Sequence, residues 1–321
     1  MLGIIIPAYN RVDKLREALE SLKNQTMKRF IVYVVDDAST EDLKSVCDEY
    51  NKIMNVVYIR SAVNLGPGAA RMRGLAIARA NNMELVMFLD SDDILLPHAV
   101  QALTYEINHG KFDIISSTII AEHQNQPFTF IHPQQGLTWF HGKIYRMSFL
   151  NKANIILPMG LRTNEDLAFN LAAFGSTKLN AYIETQTYIW RDVKDSLTRL
   201  GGTKEFVSVK GEDYIRAIHF ATFYLTKNVE DYNPIQMSAN IINCYNYYQM
   251  MVCRGIPVTP EIDQMVFEML TLPKLEPFWK PIKCSATINQ NVWGGAIIDK
   301  QYYLFPQTFK EWFETHGGKI S

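Results

Sequence analysis

The first 120 residues alternate short apolar runs with helix-like patterns, and no other feature constrains the fold as strongly. Four runs have the length and composition of buried strands: Leu2–Ile6, Phe30–Val35, Val56–Ile59 and Leu85–Leu89. The residues between them are helical in pattern, with predicted helices along the face formed by Val12, Leu15, Leu19 and Leu22, from Ser39 to about Tyr50, and over Ala69–Ala80. This rhythm predicts an α/β fold, a mostly parallel sheet with helices on both faces.

The rest of the chain is less regular. Two further strands are predicted at Phe112–Ile120 and Ile183–Trp190. A helix with acidic residues in its first turn is predicted at Asn164–Ala173. Gly201-Gly202-Thr203 has the composition of a hinge, and the pattern from 206 to 254 is largely helical. We therefore predict an α/β domain over residues 1–203 and a mostly helical region over 204–321, the latter a candidate acceptor-binding or oligomer surface.

The net charge and the distribution of apolar residues and cysteines limit the classes of partner and the compartment expected for this chain. The formal net charge is −1, so no overall positive field attracts the chain to nucleic acid. The N-terminus lacks the pattern of a signal peptide, no apolar stretch is long enough to span a bilayer, and the four cysteines show no metal-binding or disulfide spacing. These features predict a cytoplasmic protein, either free or peripherally attached to a membrane.

Three carboxylates stand within four residues at the end of the fourth apolar run, in Asp90-Ser91-Asp92-Asp93. Like charges at an apolar strand end are costly unless a cation lies between them, and Mn²⁺ or Mg²⁺ suits carboxylate and phosphate oxygens. The alternative is a solvated acidic turn that caps the next helix.

Two other polar segments follow predicted strands. Asp36-Asp37 ends the second strand. The pair is interpreted either as a cap of the turn that follows or as a group that recognises the polar edges of a ligand. Asn64–Gly74 is a glycine turn leading into a helix with Arg71 and Arg73, and it matches neither a Walker A loop nor a dinucleotide fingerprint. In parallel sheets the carboxyl ends of the strands form one edge, so these segments are expected to converge there.

The ordered set of motifs resembles glycosyltransferase family 2, the inverting enzymes of the GT-A fold. The resemblance is carried by Pro7-Ala8-Tyr9-Asn10, Val35–Thr40, Asn64–Gly74, Asp90–Asp93, Gly142–Arg146 and Asn164-Glu165-Asp166. It covers about residues 1–200, whereas nothing specific is identified in the last 120 residues.

The resemblance implies a role for each matching position. The residues that would bind the nucleotide-sugar are Pro7, Tyr9, Asp37, Arg71, Asp90, Ser91 and Arg191. Tyr9 would stack on the base, Asp37 would bond its edge, Arg71 would contact the base or hold Asp37, and Asp90 would reach the ribose. Asp92 would ligate a metal ion, Mn²⁺ or Mg²⁺, that bridges the two phosphates. Asp166, beside Glu165, would be the general base; the alternative is an acid that only stabilises the first turn of a helix. Arg191 has an equally good interpretation as an ordinary surface arginine.

Some residues are predicted to be structural. Lys143 is interpreted as a solvated lysine and Tyr145 as a packed tyrosine, in preference to residues that line an acceptor site, and His141 is interpreted as a structural histidine. The tryptophans at 279, 293 and 312 fit an acceptor site, an oligomer interface or a small core.

The sequence thus predicts metal-dependent, inverting transfer of a sugar from a nucleotide-diphosphate donor, with a UDP-sugar favoured, to an acceptor hydroxyl. The acceptors implied are a glycan, a lipid-linked sugar or another surface-polymer precursor, with a hydroxylated DNA base less favoured. The alternatives are a non-catalytic nucleotide-sugar-binding module and, less favoured, a sugar-phosphate nucleotidylyltransferase, which would need a glycine-rich loop with Arg and Lys after the first strand.

Overall fold

A computed structural model describes residues 1–123, 126–134, 136–158, 160–193, 204–275, 295–298, 301–304 and 309–318. The chain forms two compact units. The first comprises Met1–Arg162 and Phe169–Arg199, and the second comprises Thr163–Ala168 and Leu200–Ser321. The domain boundary predicted at 203, with its Gly201–Thr203 hinge, lies outside the described residues.

The first unit is built on one mixed sheet. Its described strands are β1 (Leu2–Ala8), β2 (Phe30–Asp36), β3 (Val56–Arg60), β4 (Leu85–Phe88), β5 (Ile94–Leu95), β6 (Ile114–His123), β7 (Gln126–Ile131), β8 (Lys143–Arg146) and β9 (Asn180–Trp190). Their order is β3-β2-β1-β4-β8-β6-β9-β5, with β7 paired to β6. Strands β1 to β4 are parallel, β8 runs antiparallel between β4 and β6, and β6 is parallel to β9. This is the predicted α/β class, a mostly parallel sheet flanked by helices.

Helices connect these strands. They are α1 (Val12–Lys23), α2 (Leu43–Asn51), α3 (Pro67–Ala80), α4 (Ala99–His109), α5 (Met147–Lys152) and α6 (Glu165–Gly175). The prediction that a helix begins at Ser39 was wrong, because Asp42 is the N-cap and accepts a hydrogen bond from the Ser45 backbone N–H. The Ser39 hydroxyl instead accepts from the Asn10 backbone N–H at 2.8 Å, so it belongs to a loop contact.

The central strands are buried on both faces, which explains their unbroken apolar sequence. Every residue of β1 is buried, including Pro7, so the strand continues past the Ile6 limit that was predicted. Helix α3 packs closely on this sheet at Gly74, where an added Cβ would lie 2.5 Å from the Ile5 side chain. A glycine inside a helix costs about 1 kcal/mol relative to alanine, and here it permits the close approach of helix and strand.

The second unit is mostly helical in its described residues. Its elements are α7 (Lys204–Asn228), α8 (Pro234–Cys253), α9 (Pro260–Leu270), the hairpin β10 (Gly295–Ile298) with β11 (Gln301–Leu304), and α10 (Phe309–Thr315). Trp312 is 1% exposed and its indole N–H donates to Asp263 at 3.1 Å, so this tryptophan is part of a core. Trp279 and Trp293 lie outside the described residues.

None of the helices in the described ranges is long and apolar enough to cross a membrane.

Candidate functional site

Polar loops meet at the edge of the sheet formed by the carboxyl ends of the parallel strands. Asn10 Oδ1, just after β1, accepts the Thr40 backbone N–H at 2.9 Å from the loop after β2. Arg11 bonds Asp92 in the loop after β4, and the Arg191 backbone N–H, just after β9, donates to Asp93 at 2.8 Å. These contacts bring separate stretches of the chain together as the parallel topology predicts.

The two carboxylates at the end of β2 accept hydrogen bonds from a neighbouring strand and from the loops around them. Asp36 is buried and accepts from the Tyr58 hydroxyl and Arg60 Nη1, each at 2.5 Å, and from the Ser39 backbone N–H at 2.7 Å. Burial raises the pKa of Asp36, but these hydrogen bonds and the Arg60 charge outweigh it, so the net pKa is lowered.

Asp37 is 4% exposed and accepts two backbone N–H groups of the glycine turn, from Leu65 at 3.0 Å and Gly66 at 2.7 Å. Gly66 has φ +88°, a conformation that glycine adopts without steric cost. Asp37 therefore holds the turn that opens α3. Its predicted role at the edge of a base stays a prediction.

Arg71 and Asp90 form a shielded ion pair. Their side chains are 7% and 26% exposed, and Arg71 Nη2 lies 2.5 Å from Asp90 Oδ1. The guanidinium also lies over the Phe140 ring, 5.1 Å from its centroid. Arg71 was predicted to bind the nucleotide or to hold Asp37; in the structure its carboxylate partner is Asp90.

The two remaining carboxylates of the acidic motif have different partners. Asp92 Oδ2 accepts from Arg11 Nη1 at 2.6 Å. Asp93 is buried and accepts from the Tyr188 hydroxyl at 2.7 Å and the Arg191 backbone N–H at 2.8 Å. Asp93 thus ties the motif to β9, whereas the hydrogen bond to Asp92 comes from one long side chain.

His141 joins this cluster, which the sequence reasoning missed. Its Nε2 lies 3.5 Å from Asp90 Oδ2 and 3.7 Å from Asp93 Oδ2, and its ring stacks on Tyr188 at 4.9 Å between centroids. The residue comes two positions before β8, and because β8 is antiparallel to β4, its start lies at the carboxyl end of β4. The position of His141 beside Asp90 and Asp93 could have been predicted only from the direction of β8, and that strand was not predicted.

The pKa values of the three carboxyl groups of the motif are shifted in different directions. Burial raises the pKa of Asp90, but the Arg71 and His141 contacts outweigh burial and hold that pKa below its usual range. Burial and the neighbouring Asp90 charge raise the pKa of Asp92. Burial, with Asp90 and Asp92 nearby, raises the pKa of Asp93 to about 8. Ionising Asp92 and Asp93 beside Asp90 is therefore costly, and a bound cation would reduce that cost.

The donor set fits a divalent metal ion. One atom each of Asp90, Asp93 and His141 lies within 4.8 Å of the others. Carboxylate oxygens with an imidazole nitrogen suit Mn²⁺, and carboxylates alone suit Mg²⁺. Asp92, the predicted ligand, lies in the same motif.

The structure also places the other predicted residues of the first unit. Tyr9 is 47% exposed, whereas Ser91 is buried. The Arg191 guanidinium contacts Glu17 and lies 3.8 Å from Glu122, so it is engaged by carboxylates. The nucleotide-binding roles of these residues stay predictions.

Lys143 was expected to be solvated, and that prediction was wrong. It is 1% exposed, and its Nζ donates to the carbonyl oxygens of Gly136 and Trp139, each at 2.6 Å. These bonds hold the segment that leads into His141. Tyr145 is buried as predicted, and its hydroxyl donates to Asn170 at 2.7 Å.

Glu165 and Asp166 belong to the second unit, in the first turn of α6. Asp166 Oδ1 accepts the Leu167 backbone N–H at 2.8 Å, and Glu165 is buried. The preceding Thr163 donates its backbone N–H to Asp213 of α7 at 2.9 Å, so a second helix fixes the start of this turn. The catalytic roles of Glu165 and Asp166 stay predictions.

Comparison with known proteins agrees with the family resemblance. The model of the family described as Glycosyl transferase family 2 matches residues 3–164. An uncharacterized glycosyltransferase of Haemophilus influenzae is 30% identical over 261 residues, covering 76% of this chain and 84% of the relative. The uncharacterized glycosyltransferase EpsJ of Bacillus subtilis is 25% identical over 222 residues, covering 62% of this chain and 63% of EpsJ. The chain thus spans less than two thirds of the length of EpsJ.

A solved structure has the same fold. The Staphylococcus aureus TarS fragment 1–349, in complex with UDP-GlcNAc, superposes with a TM-score of 0.66 at 18% identity, covering 96% of this chain and 98% of the fragment. At this identity the likeness concerns the fold, which is the GT-A architecture that was predicted.

Proposed function

The chain belongs to glycosyl transferase family 2, and from this premise we propose that it transfers a sugar from a UDP-linked donor to an acceptor hydroxyl with inversion at the anomeric carbon. The observation that carries the proposal is the contact between the loops after β1, β2 and β4 at one sheet edge, where Asp90, Asp93 and His141 cluster and where Asp92 lies in the same motif. The TarS complex with UDP-GlcNAc supports the choice of a UDP-sugar.

In this proposal the base of the nucleotide stacks on Tyr9, whose exposed ring lies just after β1. Arg71 keeps Asp90 ionised, so that the carboxylate can accept hydrogen bonds from ribose hydroxyls. Asp92 would ligate the divalent ion, and the clustered Asp90, Asp93 and His141 would offer further ligand atoms. When bound, that ion supplies charge neutralisation for the departing nucleotide diphosphate.

Asp166 is proposed to remove the proton of the acceptor hydroxyl as it attacks the anomeric carbon. One carboxylate base with direct displacement gives inversion of configuration. The acceptors that fit are a glycan, a lipid-linked sugar or another surface-polymer precursor.

The test is a binding and turnover experiment on the whole chain. Thermal unfolding is measured with UDP and other nucleoside diphosphates, with and without Mn²⁺, because a ligand that binds only the folded state raises the midpoint. UDP should stabilise the protein only when Mn²⁺ is present, and slow release of UDP from a UDP-sugar should follow. Asp92→Asn should abolish both effects, whereas Asp48→Asn, at an exposed carboxylate on α2 that pairs with Lys44, should change neither.

The outcomes separate the alternatives. Binding of UDP without hydrolysis or transfer would indicate a non-catalytic nucleotide-sugar-binding module. If no nucleoside diphosphate stabilises the chain in a metal-dependent way, the proposal is refuted.

A further inference from the structure

A cation of the protein itself contacts the carboxylate predicted to hold the metal ion. Arg11 Nη1 lies 2.6 Å from Asp92 Oδ2, and the two side chains are 27% and 16% exposed. Charge-assisted hydrogen bonds of this length are stronger than neutral ones. The guanidinium therefore bonds one of the two carboxylate oxygens through which Asp92 would bind a divalent ion.

Arg11 is held in an uncommon backbone conformation. Asn10 and Arg11 are both left-handed, with φ of 56° and 63°. For a residue other than glycine this conformation costs about 1–2 kcal/mol, and it persists only where surrounding contacts impose it.

Those contacts come from the loop after β2. Asn10 Oδ1 accepts the backbone N–H and the hydroxyl of Thr40 at 2.9 and 3.1 Å, and the Asn10 backbone N–H donates to the Ser39 hydroxyl at 2.8 Å. The Val12 backbone N–H donates to Glu41 at 2.9 Å. The loop that presents Arg11 to Asp92 is thus anchored on both sides of the arginine.

We propose that Arg11 is a competitor of the divalent ion: it holds Asp92 in the donor-free protein and is displaced when metal and nucleotide diphosphate bind together. A guanidinium and a divalent ion at the same carboxylate repel each other, so the ion must break the pair. The diphosphate offers Arg11 a new anionic partner, which lowers the cost of that exchange. The inference rests on the proposed function, because it takes Asp92 as a metal ligand.

The consequence is coupling between the two ligands. Metal alone gives the displaced Arg11 no phosphate partner, whereas metal bound with the diphosphate does. Each ligand should therefore raise the affinity for the other by the same factor. Removing the guanidinium should strengthen binding of the metal alone and reduce this factor.

The experiment measures Mn²⁺ affinity of the whole chain by calorimetry, in the absence and presence of UDP. Arg11→Gly removes the guanidinium and suits the left-handed backbone, so it should fold at least as well as the wild type. Without UDP it should bind Mn²⁺ roughly tenfold more tightly than the wild type, and UDP should then raise the Mn²⁺ affinity by a smaller factor.

Two control variants separate competition from a general change of charge. Arg16→Gln removes one positive charge from the same unit, at an arginine on α1 that pairs with Glu49, and should bind Mn²⁺ as the wild type does. Arg11→Lys keeps a cation beside Asp92 and should preserve the weak binding of metal alone. Asp92→Asn should weaken Mn²⁺ binding in the presence of UDP.

Each contrary result has a defined meaning. Equal Mn²⁺ affinities of wild type and Arg11→Gly without UDP, or an equal gain from UDP, overturn the role of Arg11 and leave the proposed function standing. An equal rise in Arg16→Gln also overturns it, since the effect is then one of net charge. If Asp92→Asn binds Mn²⁺ with UDP as the wild type does, or if no chain binds Mn²⁺, the metal site at Asp92 is wrong and the inference falls with it.

Discussion

The Arg71–Asp90 pair gives the sharpest quantitative prediction, which concerns Arg71→Met. Methionine keeps much of the volume and the contact with Phe140 but removes the charge, leaving the Asp90 carboxylate with its contact to His141 at 3.5 Å. Breaking a buried pair by removing one partner costs about 3–5 kcal/mol. Because the Asp90 side chain is 26% exposed, we expect a cost at or below the lower end of this range, about 2–3 kcal/mol.

For a unit of this size, 1 kcal/mol corresponds to about 2–4 °C in the unfolding midpoint, so Arg71→Met should lower it by about 4–12 °C. The assay is thermal unfolding followed by circular dichroism, with midpoints compared at one scan rate. Arg73→Met on the same helix is the matched control, since Arg73 is exposed and its side chain donates to the Arg60 carbonyl and the Ser61 hydroxyl. It should change the midpoint by no more than about 2 °C.

A double-mutant cycle tests the cause of the loss. Replacing Asp90 by Asn in the Arg71→Met background removes the orphaned charge and should recover about 1–2 kcal/mol of the free energy of unfolding. If the effects of the two single variants add without recovery, or if Arg71→Met and Arg73→Met shift the midpoint equally, the pair does not contribute what its geometry implies.

Three further outcomes follow from the structure. Tyr9→Ala should weaken UDP binding by about tenfold in calorimetry through loss of base stacking, whereas Tyr105→Ala, at an exposed tyrosine on α4, should not change it. Asp36→Asn should lower the free energy of unfolding by about 2 kcal/mol at neutral pH. Because the folded-state pKa of Asp36 is lowered, its stabilisation is lost as the pH falls through that value, so the difference from wild type in urea unfolding should shrink on acidification. Asp213→Ala should reduce kcat by about tenfold with little change in the KM for the donor, because Asp213 holds the start of the turn that carries Asp166. Asp213→Asn, which can still accept from Thr163, should keep kcat near the wild-type value. Equal loss in both variants would contradict a positioning role.

Local sequence patterns were enough to predict the parallel half of the sheet. The apolar runs at β1 to β4 are unbroken because both faces of these strands are buried, and the polar motifs follow directly where each strand ends. The errors lie mainly at element ends. Pro7 was taken to end β1, although a strand tolerates a proline near its end, and Ser39 was taken as a helix start although its hydroxyl serves another loop.

The sequence by itself determined the fold class, the family and the arrival of several carboxylates at one edge, because short-range periodicity and the topology of parallel strands dictate these. Only the tertiary structure decided which charges face each other. The antiparallel strand β8 brings His141 to Asp90 and Asp93 and buries Lys143, and the left-handed loop after β1 sets Arg11 against Asp92. Arg11 and Asp92 are 81 positions apart, and His141 lies 51 positions from Asp90 and 48 from Asp93. Strand direction and loop conformation at that range leave no trace in local periodicity.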